Sequence, residues 1–235
     1  MTACSPQMIA GSVPPKQQSL PSTGMPHPPM TSLVLPEDEP TAAVILSAAV
    51  QVMATRGYHG TSVRDIAVAA GVSPGSLYNH FSSKQDLLVT IMNRAMDGLI
   101  TATEQALFDA PNEPVARLKT LVRVHVGRHA VGRLESQIGN FELRSLNAAA
   151  LELTISKRDA QQRMFDRVVR DGVARGVFHS DDPRDAARFI VSACTAVAIW
   201  FKPGGRSTVE EVIERYQRVA LDTVGFGKRT DGDDG

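Results

Sequence analysis

From Pro40 to about Phe226, apolar residues recur at spacings of three and four, and no stretch alternates with period two over six residues. A chain with that single periodicity has only helix faces to bury, so the expected fold is all-α. The 235 residues balance 25 Lys and Arg against 25 Asp and Glu and are 43% hydrophobic. That is an ordinary composition for a chain that packs a core in water.

Residues 1–36 depart from the pattern. They hold eight of the fourteen prolines, one charged residue (Lys16) and no aromatic, too little apolar surface to offset the entropy of ordering. Residues 1–38 are therefore expected to form a disordered extension that serves no part of the fold, and residues 228–235 a flexible tail. Cys4 lies in the lead and Cys194 in an apolar helix, with no Cys-x-x-Cys or His-flanked spacing. This fits a reduced, cytoplasmic setting. The start of the chain lacks a basic patch followed by an apolar run, which argues against a secretory signal. The longest apolar run, Ile190 to Phe201, is too short to span a membrane, so no membrane partner is expected.

Punctuation divides the rest into helices. The first is expected over about Thr41–Arg56, with Gly57 as its stop. Ser62 and Asp65 have capping-box spacing at the start of a short second helix that Gly71-Val72 ends. Ser73 caps a third, with Pro74 at its first position, where a missing N–H costs nothing. A fourth opens at Ser83, with Asp86 three residues on, and runs to about Phe108, roughly 39 Å at about 1.5 Å per residue. A fifth follows Pro111 and Pro114 to about Gly132, and 134–147 reads as one or two short helices. Ala148–Gly176 and Asp182–Lys202 follow, and a last helix spans about 208–226, capped by Ser207 with Glu210.

Three short helices with tight turns, the third preceded by Gly71-Val72-Ser73, have the form of a helix-turn-helix whose third helix reads a DNA groove. The Ser73 end presents free N–H groups and a positive dipole end suited to a phosphate. Gly75 and Ser76 let the backbone approach base edges, and Tyr78, Asn79 and His80 offer donors. Residues 41–90 carry Arg56, Arg64 and Lys84 against Asp65 and Asp86. Such a weakly basic reader should show a modest salt dependence, because only phosphates neutralised by cations release counterions.

The runs Gly60-Thr61-Ser62-Val63-Arg64-Asp65-Ile66-Ala67 and Ala70-Gly71-Val72-Ser73-Pro74-Gly75-Ser76-Leu77-Tyr78-Asn79-His80-Phe81, with Ser83-Lys84, resemble the tetracycline-repressor (TetR) family over residues 39–99. The resemblance implies a helix-turn-helix domain over 39–99 and a ligand-binding and dimerisation domain over 100–227. It implies a homodimeric transcriptional regulator, usually a repressor, that leaves a palindromic operator when a small inducer binds. It implies that Thr61 and Lys84 contact phosphates, that Tyr78 and His80 hold the DNA backbone, and that Gly75, Ser76 and Asn79 lie nearest the bases. Arg64, with the helix starts Ser62 and Ser73, completes the DNA-binding set. Asn79 stands where many members carry a second aromatic or a His. The segment Lys157–Arg163 and Trp200–Gly205 look like the actinobacterial branch that regulates lipid and sterol breakdown and responds to acyl-CoA thioesters. An amphipathic, partly anionic inducer with Arg partners follows from that resemblance.

Polar residues within the helices after residue 113 are the candidates for lining an inducer site: His125, His129, Asn140, Glu142, Arg144, Arg158, Gln161, Thr195 and Trp200. The broad apolar faces of the last two helices suggest a dimer interface through Phe189, Ala193, Val197, Ile213, Tyr216 and Ala220. Two readings compete. One is a metal-dependent enzyme using His125 and His129, which share a helical face, but Val126 replaces the Glu that such a motif needs as base. The other is a helical protein-interaction module that has lost DNA binding. Gly225–Arg229 only mimics a phosphate loop, since Asp222 and Arg229 stand where Gly and Ser/Thr belong. No catalytic residues, metal site or cofactor are expected.

Overall fold

A computed structural model describes residues 33–227; the expectations for residues 1–32 and 228–235 lie outside that range. Among the described residues the chain forms helices and no strand. These are α1 Pro40–Arg56, α2 Val63–Ala70, α3 Pro74–His80, α4 Lys84–Asp109, α5 Pro114–Val131, α6 Arg133–Phe141, a 3-10 turn Leu143–Ser145, α7 Ala148–Ala174, α8 Pro183–Trp200 and α9 Val209–Thr223. No described helix is long and apolar enough to cross a membrane.

The helix starts follow from local hydrogen bonding. Ser62 and Asp65 close a full capping box on α2, Ser73 Oγ accepts the Ser76 N–H at 3.0 Å, and Ser83 Oγ accepts from Asp86 N. Two expectations need correction. Asp86 does not reach back to Ser83; its carboxylate accepts the Ser82 N–H at 2.9 Å. The last helix is capped one residue later than expected, by Thr208 with Glu211, which leaves Glu210 free to pair with Arg123 across to α5. Gly71 ends α2 with φ of 69°, a left-handed conformation that a side chain would strain. It turns the chain sharply enough to set α3 across α2.

Two hydrophobic cores result. The first gathers α1, α2, α3 and the first half of α4 around Ile45, Ile66, Leu77 and Leu88. It also takes in Ile138 of α6, Leu146 and the start of α7. The second holds α5, the later part of α7, α8 and α9 around Val122, Phe165, Ile190 and Val212. Gly172 admits the Phe178 ring so closely that a Cβ there would lie 2.0 Å from it.

The lead is not wholly idle. Leu33 is buried in the first core. Arg94 on α4 donates to the Leu33 carbonyl at 2.8 Å and forks onto both Asp38 carboxylate oxygens. Leu35 N–H closes the loop onto Asp38 at 2.7 Å. Residues 33–39 thus form a strap across α4. The apolar deficit of residues 1–36 concealed one leucine with a seat in the core.

Candidate functional site

The reading head presents one face to solvent. Leu77 and Phe81 anchor α3 from beneath, while Ser73, Gly75, Tyr78 and Asn79 are exposed and Ser76 is half-buried. Tyr78 is 53% exposed, a large ring left in water on a helix whose Leu77 is fully buried. Arg64 stands exposed on α2, and Arg56 pairs with Asp65 at 3.1 Å. The Ser62 hydroxyl is engaged on both sides, donating to Asp65 Oδ2 and accepting from Asp65 N. His80 is half-buried, its Nδ1 3.3 Å from a carboxylate oxygen of Glu39.

Two of the expected phosphate contacts are corrected by their surroundings. Thr61 is buried and its hydroxyl donates to the Gly57 carbonyl at 2.7 Å, so it pins the turn between α1 and α2. Lys84 Nζ donates to the Tyr58 and Thr61 carbonyls, each at 2.7 Å, and lies 4.1 Å from the centre of the Tyr58 ring. It clamps α4 to the same turn. Both residues position the head.

A cleft of about 720 Å³ lies among α4, α5, α6, α7 and α8. His125, His129, Asn140, Arg158, Gln161 and Thr195 lie on its walls together. Sequence reasoning missed Met96, Leu99 and the rim arginines Arg163, Arg184 and Arg188. A smaller chamber of about 70 Å³ adjoins it, sharing Met96, Leu99, His129, Asn140 and Arg158, and reaches Leu33 and Arg128. Arg128 was legible: it shares a helical face with His125 and His129. Arg128 and Arg158 donate to the Gly98 and Gly139 carbonyls, and burial lowers the pKa of each guanidinium.

Three expected lining residues lie elsewhere. Glu142 accepts the Tyr58 N–H at 2.9 Å and the Ser145 hydroxyl, tying the 3-10 turn to the reading head. Arg144 is exposed in that turn. Trp200 stacks on Tyr216 at 6.2 Å between ring centres.

Val197, Ile213 and Ala220, expected at a dimer interface, are instead buried in the chain's own second core. The α8 stripe is covered by α5 and α7, and the α9 stripe by α5. Phe189, Ile199, Trp200 and Val219 remain exposed, with Ala193 and Tyr216 half-buried.

The His125 and His129 rings are stacked, 4.4 Å between centres and 8° from parallel. An ion in the plane of one ring lies out of plane of the other, so the two lone pairs do not converge on a metal at about 2.0–2.1 Å. Among the described residues no group of three His, Cys, Asp or Glu side chains gathers.

A short helix displayed after a glycine turn, above a bundle that encloses a cleft, defines a helix-turn-helix DNA-binding regulator. The comparisons carry the assignment further. Residues 45–91 match the bacterial regulatory proteins of the tetR family, and residues 111–224 the tetracyclin repressor-like C-terminal domain. The HTH-type transcriptional repressor KstR2 of Mycobacterium tuberculosis is 30% identical over 179 residues, covering 75% of this chain and 89% of that protein. A tetR-family regulatory protein from Rhodococcus RHA1 superposes with a TM-score of 0.76 at 32% identity, covering 81% of this chain and all of that one. AibR, solved with isovaleryl coenzyme A and operator DNA, gives 0.69 at 26% identity over 76% of this chain and 97% of its own. The chain belongs to the TetR family of transcriptional regulators, which are not enzymes.

Proposed function

We propose that this protein is a homodimeric repressor that binds a palindromic operator through paired α3 helices and leaves it when an acyl-CoA-like ligand enters the cleft. The cleft carries the reading: about 720 Å³, with Met96, Leu99, Val191 and Ile199 for an apolar body and Arg163 and Arg184 for an anionic end. That KstR2 is a repressor and that AibR was solved with an acyl-CoA and DNA support it.

A second copy is required physically, because one short helix reads about one half-site and two must stand about 34–36 Å apart to reach successive major grooves. Phe189, Ala193, Trp200, Tyr216 and Val219 form the apolar face available for pairing. Tyr78, Asn79, Gly75, Ser76, Ser73 and Arg64 carry DNA contact in this reading, with His80 at the edge. The helix α4 is the lever, since it begins beneath the head at Lys84 and lines the cleft with Met96 and Leu99. A ligand shifts the equilibrium only by its preference between the two spacings of the heads.

The test is an operator fragment recovered from genomic DNA and titrated in gel shift. Release by isovaleryl-CoA or a longer acyl-CoA, with free coenzyme A inert, is the expected result. Retention of the complex at millimolar acyl-CoA, or a monomer in ultracentrifugation, would contradict it.

A further inference from the structure

The protons on the cleft wall can be assigned from distances alone. Thr195 Oγ1 lies 2.9 Å from the Val191 carbonyl oxygen. Two oxygens that close need a proton between them, and only the threonine has one. His125 Nε2, 2.9 Å from the same Thr195 Oγ1, must therefore carry its own hydrogen and donate. That leaves His125 Nδ1 with a bare lone pair, buried and without a partner.

The same logic fixes two neighbours. Thr103 Oγ1 gives its proton to the Leu99 carbonyl at 2.7 Å, so the Gln161 amide nitrogen must face it, at 3.1 Å. Gln161 Oε1 is then an unpartnered buried acceptor. His129 Nδ1 lies 2.8 Å from the His125 carbonyl and must donate to it, which leaves His129 Nε2 bare as well. Burial keeps both imidazoles neutral near pH 7, so neither nitrogen gains a proton to donate.

We infer that this wall of the cleft, set by His125, Gln161 and His129, selects a ligand that presents a neutral O–H or N–H donor on an otherwise apolar body. The inference rests on the cleft being the ligand site. A ligand with a donor gives a hydrogen bond to a buried acceptor that otherwise has none, which a ligand without one cannot do. Donors without partners are Arg128 Nη1 in the smaller chamber and Asn140 Nδ2, which lines both spaces.

The test uses the full chain and two isomeric probes of equal size, 1-octanol and heptyl methyl ether, of which only the first can donate. Calorimetry or a thermal shift is expected to show the alcohol binding about tenfold more tightly. Gln161→Met is expected to erase most of that preference. Because the variant could disturb packing, nitrogen-15 spectra of the wild-type histidines supply a second measurement. They should show His125 as the Nε2–H form and His129 as the Nδ1–H form, with the bare nitrogens shifting on adding octanol and not the ether. Equal affinity for the two probes, binding of neither, the opposite tautomers, or micromolar zinc binding at these rings would each overturn the inference. Operator release by acyl-CoA is scored separately, so a failed inducer assignment and a failed donor preference are distinguishable.

Discussion

Lys84 is a cation with its geometry already committed. Two backbone carbonyls and an aromatic face surround its ammonium, so Lys84→Met keeps the stem but loses two charge-assisted bonds. The expected cost is about 1–2 kcal/mol of stability, read as a lower melting temperature. Operator binding should weaken while its salt dependence stays unchanged; a shallower slope would restore Lys84 as a phosphate contact. The buried histidines make a pH prediction. In the unfolded chain they protonate near pH 6.5, whereas burial holds His125 well below that and His129 at about 4. Below 6.5 the unfolded state binds more protons, so stability falls as pH drops from 6.5 to about 4, the range over which His129 stays neutral only in the folded chain. His129→Gln should flatten that fall in urea titrations, and an unaltered slope would contradict the assignment. At this level the sequence is readable in type and mute on direction. Thr61 and Lys84 carry the residue types of phosphate contacts, yet what engages them is a turn carbonyl at Gly57 and the carbonyls of Tyr58 and Thr61. Those groups are identical in every residue, so no pattern of side chains announces them.

Among the elements, the helices were legible because their stops are chemical. Gly57, Gly71, Pro74 and Pro114 fix ends whatever the tertiary fold, and the capping residues follow. The last cap slipped from Ser207 to Thr208 because both pairs, Ser207 with Glu210 and Thr208 with Glu211, have the same spacing. Arg123 on α5 decides between them by engaging Glu210, a contact 87 residues away in the chain. The strap of residues 33–39 was invisible for a related reason, since its hold comes from Arg94 on α4. Arg94→Ala removes the fork on Asp38 and the bond to the Leu33 carbonyl. Hydrogen exchange over residues 34–39 is expected to accelerate about 10- to 100-fold, with α5 and α9 unaffected. Protection that survives the substitution would mean that Leu33 alone holds the strap.

Across the whole molecule, an apolar stripe states that a face is covered but not by what. Val197, Ile213 and Ala220 look like Phe189 and Trp200 in the sequence, yet the first three are buried in the second core, Val197 against α5 and α7 and the other two on the α9 face that packs on α5, while Phe189 and Trp200 face water. The cleft was partly legible because polar residues at helical spacing, His125 with His129 and Arg158 with Gln161, converge once α5 and α7 pack. Charge is another property of the whole. In the reading head Arg56 is paired with Asp65 and Lys84 with backbone carbonyls, so Arg64 is the exposed cation with no carboxylate in ion-pair distance among the described residues. A dimer then neutralises about two phosphates through its heads, which corresponds to a contribution of about −2 to the slope of log affinity against log salt. Hydroxyls, the Tyr78 phenol and helix-start N–H groups supply the remaining backbone contacts and release no counterions. Arg64→Ala is accordingly expected to reduce the steepness of that slope by about 2, measured by fluorescence anisotropy on a fixed operator fragment. If the slope does not move, the phosphates are met by cations outside the helix-turn-helix, and the two heads act by shape and hydrogen bonding alone.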